Sequence, residues 1–208
     1  MTLDEVDKAY TFYSKIPSMY KVSSYIQFIG MENYLRKKCV DNLNLKKGDK
    51  VLDLACGMGY NFKHLQKAVG PIGMITGLDY VENMLKQAKK LGFHNVQLVK
   101  QDAAEMSFPK DHFDGIISTI GFGSIPNHKK ALKLAVKNLK PNKRIVILES
   151  KLFTGILKVL NPIVKLLRWS KSYDPSKDIL KDLGKEVNII QVNEYLGGLF
   201  YIATGIKN

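Results

Sequence analysis

The sequence is poor in cysteine, with only Cys39 and Cys56 among its 208 residues. The two lie far apart and neither has metal-type neighbours, so a disulfide framework and a zinc cluster are excluded. They read as reduced intracellular thiols, and no metal is expected. No uncharged apolar run of about 18 residues is present, so no membrane-spanning helix is expected. Internal repeats and low-complexity linkers are also absent, which leaves a single domain with a sizeable core. Met1 to Lys8 is acidic and lacks an apolar stretch after a basic start, so no signal peptide and a cytoplasmic location are expected. Acid is the scarcer charge, with 19 Asp and Glu against 32 Lys and Arg and a net charge of +13. Such a surface favours anionic partners, whether nucleic acid, anionic lipid or acidic small molecules. The lysines are spread along the whole chain, which fits a solubility coat equally well.

What is present is a change of pattern near residue 50. Residues 1–46 predict two helices, 3–14 and 22–42, rich in tyrosine at Tyr10, Tyr13, Tyr20, Tyr25 and Tyr34. Beyond them, short apolar runs alternate with amphipathic stretches. Lys50–Ala55, Met74–Leu78, Val96–Val99, Phe113–Ser118 and Arg144–Glu149 read as strands. Between them Phe62, Leu65 and Val69, then Val81, Met84, Leu85, Ala88 and Leu91, then Ala131, Leu132, Ala135, Val136 and Leu139 recur at helical spacing. Strand–helix–strand alternation implies a parallel α/β sheet with right-handed crossovers. The end differs: Val187–Val192 and Phe200–Thr204, with Gly197-Gly198 near their junction, predict a hairpin whose last strand runs antiparallel to its neighbour.

The segment Val51-Leu52-Asp53-Leu54-Ala55-Cys56-Gly57-Met58-Gly59-Tyr60 ends a strand, turns on glycine and opens a helix. Such a turn brings backbone close to a ligand at the carboxyl end of a sheet. A dinucleotide fingerprint would need glycine at position 62, which is Phe62, and no G-K-[ST] follows to make a P-loop. Asp53 at the strand end would repel a pyrophosphate but suits a cationic amino group. Asp79, ending the second strand, offers two acceptor oxygens to a pair of ribose hydroxyls. Asp102, ending the third, can accept from an exocyclic amine of adenine. A single loop acid is most simply a solvated carboxylate. Three at successive strand ends beside a glycine loop point to one nucleoside-bearing, cationic ligand.

These residues resemble the class I S-adenosylmethionine-dependent methyltransferases. Val51–Asn61 resembles their first motif, and Asp79-Tyr80 with Met84-Leu85 the segment after their second strand. Gln101–Pro109 resembles the adenine-side loop, and the similarity continues through Phe113-Asp114 and Lys130–Glu149. Within the superfamily the chain is most similar to quinone-biosynthesis C-methyltransferases and to soluble phosphatidylethanolamine N-methyltransferases. Ser118–Pro126 resembles the quinone enzymes' loop after strand four, but Ile125-Pro126 stands where those enzymes carry an arginine–asparagine pair. Ala55 and Asn142-Lys143 stand where the family has glycines.

The resemblance implies a doubly wound, Rossmann-like sheet of seven strands, six parallel and the last antiparallel. It implies S-adenosylmethionine as cofactor, held by Asp53, Ala55, Cys56, Gly57, Gly59, Asn61, Asp79, Tyr80, Met84, Asp102, Ala103, Ser118 and Tyr20. Ser118 and Thr119 are expected near the methyl group. His128 is the one histidine placed to act as a base, with a plain surface histidine as the simpler reading. The chain divides into an N-terminal helical lid (1–46), a cofactor-binding core (47–150), a helical cap (151–183) and a C-terminal hairpin (184–208). In 151–171 a broad apolar face carries Lys151, Lys158, Lys165 and Arg168 along one stripe, with Pro162 expected to kink or split the helix. That segment predicts peripheral contact with an anionic membrane surface, or else a cap over the acceptor pocket. The expected acceptor is small and lipophilic, a phospholipid head group or a quinone precursor. A polar metabolite, RNA, or cofactor binding without catalysis are the alternatives. RNA ranks below lipids because position 118–121 is Ser-Thr-Ile-Gly rather than an Asn/Asp-Pro-Pro-aromatic motif. A nicotinamide oxidoreductase ranks last.

Overall fold

The computed structural model describes all residues except 170–172 and 175, and also leaves out the side chains of Gln27 and residues 166–169. The end of the 151–171 stripe, Arg168 included, therefore lies outside the described side chains. Five parallel strands form first: β1 (Lys50–Leu54), β2 (Met74–Asp79), β3 (Val96–Lys100), β4 (Phe113–Thr119) and β5 (Leu139–Ser150). β6 (Asn188–Tyr195) and β7 (Phe200–Ile206) complete a seven-stranded sheet in the order β3-β2-β1-β4-β5-β7-β6. β7 slots between β5 and β6 and is antiparallel to both, as the hairpin pattern predicts. The strand order reverses at β1, so the crevice beside the carboxyl ends of β1 and β4 is the natural ligand site of a doubly wound sheet.

Helices cover both faces. α3 (Glu32–Asn42), α4 (Phe62–Val69) and α5 (Glu82–Lys89) pack on one, through Leu35, Cys39, Leu65, Val69 and Leu85 against Val51, Ile75, Val146 and Leu148. α6 (His128–Asn138) and α8 (Ile179–Glu186) pack on the other, through Leu132, Val136 and Leu183 against Leu52, Leu54, Ile145 and Ile147. Both faces being buried explains why these strands read as continuous apolar runs. Each fully buried Leu or Ile contributes roughly 2 kcal/mol of transfer free energy.

Several boundaries differ from expectation. The predicted helix 22–42 is two helices, α2 (Pro17–Gln27) and α3, preceded by α1 (Leu3–Lys15). Ile29 and Gly30 between them have φ of 49° and 74°, which no right-handed helix accepts. Pro17 stands at the start of α2, where its missing N–H costs nothing. Segment 151–171 is not one helix either. Gly155–Leu160 is a 3-10 helix, and α7 (Asn161–Trp169) starts beside Pro162. The predicted split is there, but Lys151 lies outside both helices and pairs with Glu194, so the basic stripe is interrupted. Among the described residues no helix is long and apolar enough to cross a membrane.

Candidate functional site

A cleft of about 1160 Å³, counting its open mouth, lies at the carboxyl ends of β1, β2 and β4. Its first half is made of backbone and carboxylate. β1 ends where Ala55 takes a φ of 55°, a left-handed conformation that costs a residue with a Cβ roughly 1 kcal/mol. This is the position of the family's glycine, and the turn it makes carries Cys56, Gly57 and Met58 along the cleft wall. Gly57 has a φ of 54°, and a Cβ added there would meet nothing within 4 Å, so its bare backbone faces open space. Gly59 is different. It does not line the cleft, and a Cβ on it would fall 2.5 Å from the ring of Phe62. Here glycine lets the Phe62 ring seat beneath the loop.

Asp79 anchors this loop from β2. Its Oδ2 accepts the Gly57 N–H at 2.8 Å and its Oδ1 the Val81 N–H at 2.9 Å. Burial pushes its carboxyl up from the usual value, and the backbone N–H bonds pull it back. Asp102 starts the 3-10 turn Ala103–Glu105 and accepts the Ala104 N–H at 2.9 Å. Asp79, Tyr80, Met84, Asp102, Ala103, Ala55, Cys56 and Gly57 all line the cleft as expected. So does Tyr20, whose ring stacks on Tyr60 at 6.2 Å, while Tyr13 meets it edge-on from behind at 5.6 Å.

Asp53 and Asn61 are placed differently from expectation. Asp53 is fully buried and does not line the cleft. Its Oδ1 accepts from Asn61 Nδ2 at 3.0 Å, and its Oδ2 has no hydrogen-bond partner among the described residues. Burial pushes its carboxyl up to about 7, with Asn61 and then Arg36 opposing. Asn61 is also buried behind the wall, where its amide donates to Thr119 Oγ1 at 3.0 Å. The group that reaches the cleft from this network is Arg36 of α3, which the sequence reading missed. Arg36 Nη1 donates to Asn61 Oδ1 at 3.1 Å and to Thr119 Oγ1. Glu32 holds its other edge at 2.8–2.9 Å, and its guanidinium lies 5.4 Å from the centre of the Tyr60 ring. The Glu32–Arg36 spacing of one helical turn was its only sequence signal, and surface ion pairs share that spacing.

The second half of the cleft is apolar. Thr119, Ile120, Gly121, Ser124, Ile125 and Pro126 run along it after β4, faced by Tyr173 and by Tyr10, whose hydroxyl lies 2.8 Å from Ser124 Oγ. Ser118 is absent from this wall. It is fully buried, its hydroxyl has no partner among the described residues, and a Cβ on Gly121 would lie 2.6 Å from it. Alternation along β4 explains this, because adjacent strand residues point to opposite faces. His128 is also away from the cleft. Its Nε2 pairs with Asp182 Oδ2 at 3.1 Å, and burial lowers its pKa despite that carboxylate. It is neither a base at the site nor an exposed surface histidine. Among the described residues, the charged side chains lining the cleft are Arg36, Asp79 and Asp102, and all three belong to the first half.

The arrangement fits S-adenosylmethionine. Gly57 offers an uncovered cradle, Asp79 and Asp102 stand at consecutive strand ends, and Arg36 brings a cation to the far side. Comparison with known proteins agrees. A demethylmenaquinone methyltransferase of Staphylococcus aureus is 35% identical over 198 residues, covering 83% of this chain and 81% of that protein. A methyltransferase of Haloferax volcanii, solved in complex with the Trm112 methyltransferase activator, superposes with a TM-score of 0.70 at 17% identity over 87% of this chain and 92% of that one. A SAM dependent methyltransferase from Aquifex aeolicus gives 0.63 at 23% identity, over 89% and 98%. Those two likenesses show the fold. Residues 1–169 match the ubiE/COQ5 methyltransferase family, and the chain belongs to it as an S-adenosylmethionine-dependent methyltransferase.

Proposed function

We propose that this methyltransferase acts on a ring carbon of a lipophilic quinone precursor in its reduced, quinol form. The observation that carries the reading is the second half of the cleft, which is largely apolar and aromatic and presents no charged side chain among the described residues. A phospholipid head group would bring a phosphate, and among the described residues no cationic side chain lines that wall, the Lys177 ammonium being taken up by the Gly123 and Ile125 carbonyls. The Staphylococcus aureus relative, named for demethylmenaquinone, points the same way. Reduction to the quinol makes the ring carbon electron-rich enough to take the methyl group as the sulfur–methyl bond breaks and S-adenosylhomocysteine leaves, and the ring proton that the methyl replaces is lost to water.

S-adenosylmethionine supplies a methyl group already activated on sulfur. The chain therefore needs to bind, align and exclude water rather than supply a strong nucleophile. Asp79 holds the ribose and Asp102 the adenine. Arg36, a planar fork of donors, takes the carboxylate of the methionine end. Asp53 acts through Asn61, which with Thr119 fixes the guanidinium. Both lone pairs of the Thr119 hydroxyl are engaged by Arg36 and Asn61, so its proton is left to donate into the cleft. Tyr20 and Tyr60 close the site from above and lower its dielectric.

Exposed apolar side chains suit a membrane source for such an acceptor. Ile156 and Val159 of the 155–160 helix are 93% and 76% exposed, and Ile26 and Ile29 at the end of α2 are 69% and 68% exposed. Both groups flank the β6–β7 turn, where Phe28 stacks on Phe200 at 4.7 Å and Leu157 abuts Gly197. No acidic residue occurs in 8–31 or 151–173. Apolar contact bordered by lysine is the signature of an interfacial surface.

The test is turnover of demethylmenaquinol in mixed vesicles, read by mass of the extracted quinone. Gain of one methyl supports the reading. Label from S-adenosylmethionine that appears only in phospholipid, RNA or polar metabolites overturns it. In the same assay Ile156→Glu with Ile26→Glu should cut vesicle binding at least tenfold, while turnover of a short-chain quinol in detergent changes little.

A further inference from the structure

Glu149, at the end of β5, is a carboxylate that neither cofactor binding nor methyl transfer uses, and it is almost completely buried. Its Oε1 accepts the Phe122 N–H at 2.7 Å and lies 3.4 Å from the Gly123 nitrogen, and its Oε2 accepts the Tyr173 hydroxyl. That hydroxyl also takes the Ser150 Oγ–H at 2.6 Å and the Ser150 N–H at 3.2 Å. A charge this deep is tolerated only when its oxygens are bonded. Here the bonds reach both sides of the apolar wall at once.

Gly123 is where those sides meet. A Cβ on it would fall 2.1 Å from a ring carbon of Tyr173, so glycine alone admits the ring in this position. The Gly123 carbonyl accepts the Asp174 N–H at 3.1 Å and Lys177 Nζ at 2.9 Å, and the same ammonium reaches the Ile125 carbonyl at 2.8 Å. One carboxylate and one ammonium thus tie the 121–126 turn to Tyr173, Asp174 and Lys177, and the Tyr173 ring becomes part of the cleft wall.

We infer that Glu149 and Tyr173 are positioning residues that clamp the 121–126 turn against Tyr173 and Asp174 and so set the size of the acceptor pocket. The inference rests on the reading of that wall as the acceptor side. The pair touches acceptor geometry, because the bonds just described run to Phe122, Gly123 and Ser150. Gly123 and Tyr173 act as a matched pair, so a methyl added at Gly123 must displace the ring.

The experiment uses the full chain with Tyr173→Phe, Glu149→Gln, Gly123→Ala, Tyr173→Ala and the double variant Gly123→Ala/Tyr173→Ala. Tyr173→Phe keeps the ring and removes one charge-assisted bond, so amide exchange at Phe122 and Gly123 should quicken about tenfold while Gly57 stays unchanged. With short-chain demethylmenaquinol as probe, KM should rise about tenfold with kcat little altered, and the Kd for S-adenosylmethionine should stay within about twofold. Gly123→Ala should raise KM in the parent but add nothing in the Tyr173→Ala background. Unchanged exchange at Phe122 and Gly123 in Tyr173→Phe overturns the clamp, as does equal weakening of cofactor and acceptor. Should the parent protein leave the quinol unmethylated, the acceptor assignment fails, and the exchange data still decide the clamp. If Glu149→Gln does not fold, Tyr173→Phe carries the test.

Discussion

Most of the cofactor half of the cleft is backbone and carboxylate from one stretch of chain, Ala55 to Ala103, each group placed by the strand it follows, with Arg36 and Tyr20 added from the N-terminal helices. The acceptor half is apolar side chain gathered from Tyr10, from the 120–126 turn and from Tyr173, and it is held by Glu149 on yet another strand. The first half takes its geometry from local turns. The second takes its geometry from distant contacts around a buried charge. A change in the first half should therefore strike cofactor affinity, and a change in the second acceptor selectivity.

The sharpest break between the halves is Asp79→Ala. It removes the acceptor for the Gly57 and Val81 N–H groups as well as the ribose contact, so S-adenosylmethionine should bind at least a hundredfold more weakly by calorimetry. Arg36→Ala should weaken the cofactor by about thirtyfold and lower Tm, because it leaves Glu32, Asn61 and Thr119 without their partner. Arg36→Lys should recover only part of this, since an ammonium cannot present the fork.

A pH titration probes the network behind the wall. The Asp53 carboxyl stands at about 7 in the fold against a usual 3.8, so the folded chain keeps a proton that the unfolded chain gives up. Below 3.8 both states are protonated and the group is silent. As pH rises from there through 7, the unfolded state binds fewer protons, and stability from this group falls. At about 1.36 kcal/mol per pKa unit the loss is about 4 kcal/mol, and denaturant midpoints for Asp53→Asn should lack that downward slope. His128→Ala should have the smallest effect. Acceptor KM and kcat should stay within about twofold, while stability drops by about 1 kcal/mol through the lost Asp182 contact.

The parts legible in sequence share a physical cause. Strands buried on both faces show as apolar runs, and helices with one covered face show as spaced apolar positions. A ligand loop shows as glycine between acidic strand ends. Asp79, Asp102 and Gly57 lie within that grammar and stand where it puts them. Ala55 and Asn142 are a subtler case. Both replace family glycines, and both have positive φ, of 55° and 60°, so the backbone shape outlasts the residue that usually favours it.

Elsewhere the pattern was ambiguous or silent. Asp53 and Ser118 sit at strand ends, yet the pleat turns them into the core, and the order of residues alone does not say which face a cleft opens on. Arg36 looks like one basic residue among many on a lysine-rich helix. Tyr173 and Glu149 are 24 residues apart with nothing between them to announce contact. The sequence alone determined the doubly wound sheet and the glycine turn with Asp79 and Asp102 at neighbouring strand ends, because those follow from local periodicity and turn chemistry. Tertiary structure decided which buried charge speaks to the ligand and which to the scaffold. Desolvation and hydrogen-bond geometry depend on groups far apart in the chain, and only folding brings those groups together.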